Sequence, residues 1–138
     1  MPPAENPYPG NFTKQGARRH SVNTKNRQPL AVLGAGSWGT ALAGLVAHHG
    51  HPVLLWTRDH THAQEMIATG RNQRFLGSLA LPSGVEPTAQ FNRAVDEAHH
   101  YVIAVPSHAF RSVLNRLNDA LTGCSEPPQI CWGTKGFE

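Results

Sequence analysis

Short apolar runs alternate with stretches whose apolar positions recur at helical spacing, and this alternation begins at Pro29. Leu30-Ala31-Val32-Leu33 and Val53-Leu54-Leu55-Trp56 are continuous apolar runs, the pattern of strands buried on both faces. Tyr101-Val102-Ile103-Ala104-Val105, stopped by Pro106, predicts another strong strand, and Gln129–Trp132 a last one. Val85-Glu86-Pro87-Thr88 reads as a weaker strand whose proline suits a sheet edge or a strand end. Between these lie four predicted helices. Ser37–His49 carries the stripe Ala41, Leu42, Leu45 and Val46 and meets a stop at Gly50. Asp59 caps a helix running through Ala63, Met66 and Ile67 to Gly70. Phe91–Ala98 is short, and Ser107 caps a helix carrying Val113, Leu114 and Leu117. Residues 71–83 read as irregular, with Phe75, Leu76, Leu79 and Leu81 packed from a loop. Strands alternating with helices through right-handed crossovers predict an α/β fold, a doubly wound parallel sheet with helices on both faces.

The first 29 residues break the pattern. Pro2, Pro3, Pro7 and Pro9 sit among Asn, Gln, Lys and Arg, and the few apolar residues are scattered, so this segment reads as a disordered basic tail ahead of a folded domain at 30–138. It also locates the net charge of +3. Lys14, Arg18, Arg19, Lys25 and Arg27 oppose Glu5 alone, giving the tail +4 and leaving residues 30–138 at −1. A folded surface without a basic face does not suit nucleic acid. Arg18-Arg19 is followed by no apolar segment, which argues against export, although an acid-poor basic tail stays compatible with a transit peptide. No apolar run approaches the roughly 20 residues of a membrane span, so the expected location is cytoplasmic.

Cys124 and Cys131, seven apart with no second pair, match no zinc pattern and read as one loop thiol and one buried thiol in a reducing compartment. Nine histidines invite a metal centre, but His48, His49 and His51, or His60 and His62, share no helical face with a carboxylate pair, so none is expected. Histidines at a helix C-terminus suit its dipole instead. Trp38, Trp56 and Trp132 read as packing residues, Trp38 with a side open to ligand.

The candidate chemistry lies where the first strand meets the first helix. Gly34-Ala35-Gly36-Ser37-Trp38-Gly39 fits G-x-G-x-x-G in a strand-turn-helix context, which marks a Rossmann-type dinucleotide-binding domain. Gly34 permits the tight turn, Gly36 lets backbone approach a pyrophosphate, and Gly39 lets the helix pack on the strand. The helix then offers free N–H groups and a positive dipole end to phosphate. The second strand ends Trp56-Thr57-Arg58-Asp59, without the acidic residue that holds NAD ribose hydroxyls. Arg58 suits a 2′-phosphate, and Asp59 is taken by helix capping, so the cofactor is NADP or NAD, with NADP accepted.

Four segments carry a resemblance. Residues 32–43, opening Val32-Leu33-Gly34-Ala35-Gly36-Ser37-Trp38-Gly39, closely resemble the start of bacterial NAD(P)-dependent glycerol-3-phosphate dehydrogenase. Leu55-Trp56-Thr57-Arg58-Asp59, Ala104-Val105-Pro106-Ser107-His108 and Thr134-Lys135-Gly136-Phe137-Glu138 are similar to that family's second-strand end, later cofactor loop and lysine loop. The resemblance implies reversible hydride transfer between NAD(P)H and dihydroxyacetone phosphate, giving sn-glycerol 3-phosphate for phospholipid synthesis. It implies cofactor contacts from Ser37, Trp38, Arg58, Phe75, Pro106 and Lys135, beside Gly34, Gly36 and Gly39, with Lys135 also binding substrate and acting in catalysis. His99-His100 depart from the family's usual acidic residue before the fourth strand. The helical C-terminal domain, with its second catalytic lysine, is absent, so the chain is expected to be an incomplete cofactor-binding part, weak in binding and without turnover by itself. A homodimer of the full-length enzyme stays open. Two rival readings remain at this level: another reductase of the same fold, of ketopantoate or hydroxyacid type, and a non-catalytic NAD(P)-sensing module.

Overall fold

The computed structural model describes residues 27–134. The basic tail, except for residues 27–29, and Lys135 lie outside the described residues. Ten elements follow one another: β1 (Leu30–Leu33), α1 (Ser37–His48), β2 (Val53–Trp56), α2 (His60–Thr69), α3 (Gln73–Leu76), β3 (Val85–Thr88), α4 (Phe91–Asp96), β4 (His100–Ile103), α5 (Ser107–Leu121) and β5 (Gln129–Trp132). All strand pairs are parallel, in the order β3-β2-β1-β4-β5. The order reverses between β1 and β4, the switch point outside which open α/β sheets bind ligands.

The strand period of two splits the core into two layers. Ala31, Leu33, Leu54, Trp56, Tyr101 and Ile103 face α4 and α5, where Phe91, Ala94, Val113 and Leu117 meet them. Val32, Val53 and Leu55 face the other way and pack with Ala43 of α1 and Met66 of α2. Each fully buried large side chain contributes roughly 1.5–3 kcal/mol. Pro87 sits in β3, an edge strand, where a residue without an N–H is tolerated.

Several sequence expectations need correction. Residues 73–76 form a helical turn, α3, inside the stretch read as irregular. β4 starts at His100 and ends at Ile103. The cap of α5 is Pro106, whose extended backbone (φ −56°, ψ 152°) delivers the chain into the helix, so Ser107 is its first residue rather than its cap. In α1 the buried positions are Gly39, Thr40 and Ala43, whereas Ala41 is exposed and Leu45 is 56% exposed. The helix lies so close to the sheet that small residues occupy its inner face, which hydrophobicity alone does not flag. Cys131 and Cys124 are both exposed, and Trp132 is 65% exposed, because β5 ends the sheet order and only its Ile130 packs against the core. Trp56 is buried, its ring edge-on to Phe91 at 5.1 Å.

Candidate functional site

β1 delivers its last residue into a turn that only glycine can make. Gly34 has φ +122°, and a Cβ there would lie 2.5 Å from the Ala104 carbonyl oxygen. Its N–H donates to the Trp56 carbonyl, so the loop is tied to β2 while it passes β4. Gly39 sits behind the loop, where a Cβ would land on the Gly34 carbonyl oxygen. Gly36 differs: a Cβ there would meet nothing within 4 Å. Its bareness is not needed for packing and leaves space in front of the backbone.

That space is part of a cleft of about 710 Å³ at the C-terminal ends of the strands. Gly34, Gly36, Ser37, Trp38, Arg58, Phe75 and Pro106 all line it, with Gly133 and Thr134 on the β5 side. Gly39 does not line the cleft; it holds the helix against the loop. Gly36 is the N-cap of α1 and supplies no side-chain acceptor, and the first turn has no acidic residue. The first amides of α1 and the positive end of its dipole therefore face the cleft without compensation. This cradle fits a phosphate group. Trp38 is 57% exposed and Phe75 50%, two apolar rings on the rim. On the far side, Thr134 Oγ1 donates to the Val105 carbonyl at 2.9 Å, pinning the chain immediately before Lys135.

At the end of β2, Asp59 caps α2 as expected: its Oδ1 accepts from the His62 N–H at 3.0 Å. Its Oδ2 takes Arg74 Nη1 at 2.7 Å. The capping bond and the guanidinium hold the Asp59 carboxyl below its usual range. Arg58 is exposed beside it.

A buried polar network organises this end of the cleft, and sequence reasoning missed it. Asn72 is fully buried. Its Nδ2 donates to the Ala35 carbonyl at 2.9 Å and to Thr40 Oγ1 at 2.7 Å. Its Oδ1 therefore faces His62 Nε2 at 2.8 Å as acceptor, which places a proton on Nε2. Thr57 Oγ1 accepts the Asp59 N–H and lies 3.5 Å from His62 Nδ1. One amide thus joins the glycine loop, α1, α2 and the segment that carries Phe75, whose ring lies 5.6 Å from that of His62. The signal available was an Asn among the polar residues Arg71, Gln73 and Arg74 and a His on a helix, each ordinary by itself.

His49 Nδ1 contacts the Leu45 carbonyl at 2.9 Å at the end of α1, the helix-terminus role expected for it. Among the described residues no group of three His, Cys, Asp or Glu could hold a metal, and no helix is long and apolar enough to cross a membrane.

Comparison with known proteins agrees with this geometry. The chain is 43% identical over 109 residues to a glycerol-3-phosphate dehydrogenase (NAD(P)+) of Xanthomonas oryzae, covering 79% of this chain and 31% of that protein. A relative of the same name from Xylella fastidiosa is 45% identical over 117 residues, 85% of this chain and 32% of its own length. The chain thus spans about a third of the curated relatives it matches. Among solved structures, glycerol-3-phosphate dehydrogenase from Coxiella burnetii superposes with a TM-score of 0.71 at 37% identity, over 80% of this chain and 33% of that one. A yeast glycerol-3-phosphate dehydrogenase shares the fold, with a TM-score of 0.65 at 21% identity over 81% of this chain and 35% of its own. A family model described as the N-terminus of NAD-dependent glycerol-3-phosphate dehydrogenase matches residues 29–138. With its glycine loop, its uncapped first helix and a match over that span, the chain belongs to the NAD-dependent glycerol-3-phosphate dehydrogenase N-terminal family.

Proposed function

We propose that this chain is the cofactor-binding part of an enzyme that interconverts dihydroxyacetone phosphate and sn-glycerol 3-phosphate with NADP or NAD. The observation that carries the reading is the open space before Gly36, bounded by the uncapped amides of α1. Residues 30–138 are the binding domain, completed in the full enzyme by a helical C-terminal domain. Gly34, Gly36, Ser37 and Trp38 hold the pyrophosphate, Arg58 and Phe75 the adenosine end, and Pro106 borders the path to the nicotinamide. The bound cofactor supplies a hydride to the substrate carbonyl carbon, and the oxygen gains a proton. Lys135 follows Gly133 and Thr134, which line the cleft; a cation there polarises the carbonyl or holds the substrate phosphate. We place the enzyme in the cytoplasm as a homodimer, acting in phospholipid synthesis, with the basic tail outside the catalytic unit. The rival readings, another reductase of this fold or a sensing module, gain nothing from relatives that carry the dehydrogenase name.

Calorimetric titration with NADPH and NADH tests the cofactor reading: saturable binding of at least one is expected, and absence of both overturns it. Appending the C-terminal portion of the Xylella relative tests the reaction. That chimera reduces dihydroxyacetone phosphate, and Lys135→Ala lowers its kcat by roughly a hundredfold. An unchanged kcat removes Lys135 from catalysis.

A further inference from the structure

Arg74 is unusual among the residues lining the cleft. It is held by three hydrogen bonds to two carboxylates: Nε and Nη2 to Glu65 at 2.9 Å each, and Nη1 to Asp59 at 2.7 Å. Exposed ion pairs contribute little to stability, so the clamp is weakly explained as a structural device. A guanidinium carries five N–H donors in a rigid fork. Three are committed, which leaves one on Nη1 and one on Nη2 without a partner among the described residues. Arg74 and Asp59 line the cleft together with Arg58, the residue next in sequence to Asp59. Both oxygens of Asp59 are engaged, one by the His62 amide and one by Arg74, so it is poorly placed to accept from a ribose diol.

We propose that Arg74 is a second ligand of the ribose 2′-phosphate, pre-set by Glu65 and Asp59, and so a specificity-determining residue beside Arg58. The inference rests on the cofactor reading above. The four charges of Arg58, Arg74, Asp59 and Glu65 sum to zero, so discrimination comes from the two open N–H donors rather than from a net positive field. A fork fixed on one edge by a carboxylate presents its other edge without losing further side-chain freedom.

The test uses adenosine 2′,5′-bisphosphate and 5′-AMP, which differ only in the 2′-phosphate, titrated into the wild-type chain and its variants. Arg74→Gln is expected to weaken the bisphosphate at least about fivefold and 5′-AMP less than about twofold. Because that variant also leaves Glu65 uncompensated, the doubly substituted Arg74→Gln/Glu65→Gln chain restores the wild-type net charge. A contact role keeps the double variant weakened. Recovery of wild-type affinity in the double variant, or equal loss for both ligands in Arg74→Gln, overturns the inference while leaving dinucleotide binding intact. A wild-type chain that binds 5′-AMP as tightly as the bisphosphate overturns it too. A wild-type chain that binds neither nucleotide, nor NADPH or NADH, overturns the cofactor reading and this inference together.

Discussion

Replacing Asn72 with Ala removes one side-chain amide from a fully buried position, and the structure allows its cost to be worked out. The His62 Nε2–H loses its acceptor and the Ala35 carbonyl loses its side-chain donor. The Thr40 hydroxyl also loses a donor but can rotate toward another partner. A buried polar group left unpaired costs about 1–3 kcal/mol, so two of them cost about 2–6 kcal/mol, centred near 4. For a domain of about a hundred residues each kcal/mol moves the midpoint by about 4 °C, giving a drop on the order of 15 °C. Urea and thermal unfolding of wild type, Asn72→Ala and the exposed control Asn115→Ala measure this, the control being expected within about 0.5 kcal/mol of wild type. If Asn72→Ala falls within about 1 kcal/mol of the control, the network does not tie the glycine loop to α2 and α3, and the account of this end of the cleft is wrong.

The glycines separate folding from binding. Gly36→Val should leave stability within about 0.5 kcal/mol, since its backbone is extended and its Cβ meets nothing, yet lower dinucleotide affinity by at least about tenfold in calorimetry. Gly34→Ala should do the reverse, destabilising by about 2 kcal/mol or more through its positive φ and the Ala104 carbonyl, as read by denaturant midpoint. Acid should weaken the fold slightly through Asp59 and Glu65, whose ion pairs with Arg74 are exposed. Hydrogen bonding, from the His62 amide and then Arg74 for Asp59 and from Arg74 for Glu65, depresses both below the ordinary 3.8 and 4.5. Their contribution is present above those values and is lost as pH falls through the lower folded-state ones, so stability should decline below about pH 4.5. Thermal melts from pH 6 to pH 2.5 should show a shallower decline in Arg74→Gln; equal slopes would remove Arg74 as the cause.

What the chain's order of residues determined was everything that local pattern carries. Uniform apolar runs at 30–33 and 53–56 mark strands covered on both sides, and the glycine spacing between a strand and a helix announces a phosphate cradle. Asp59 as a cap and Gly70 as a left-handed stop (φ 64°) follow from the short-range chemistry of helix ends. Pairing over long separations decided the rest. Which face of α1 is inside depends on how closely it lies over β1, and close approach selects Gly39, Thr40 and Ala43 over the more apolar Leu45. Asn72 reaches Ala35 across 37 residues, and Arg74 meets Asp59 across 15. Hydrogen bonds of that kind have no period in the chain; they exist only once the sheet order has brought the ends of β1 and β2 side by side.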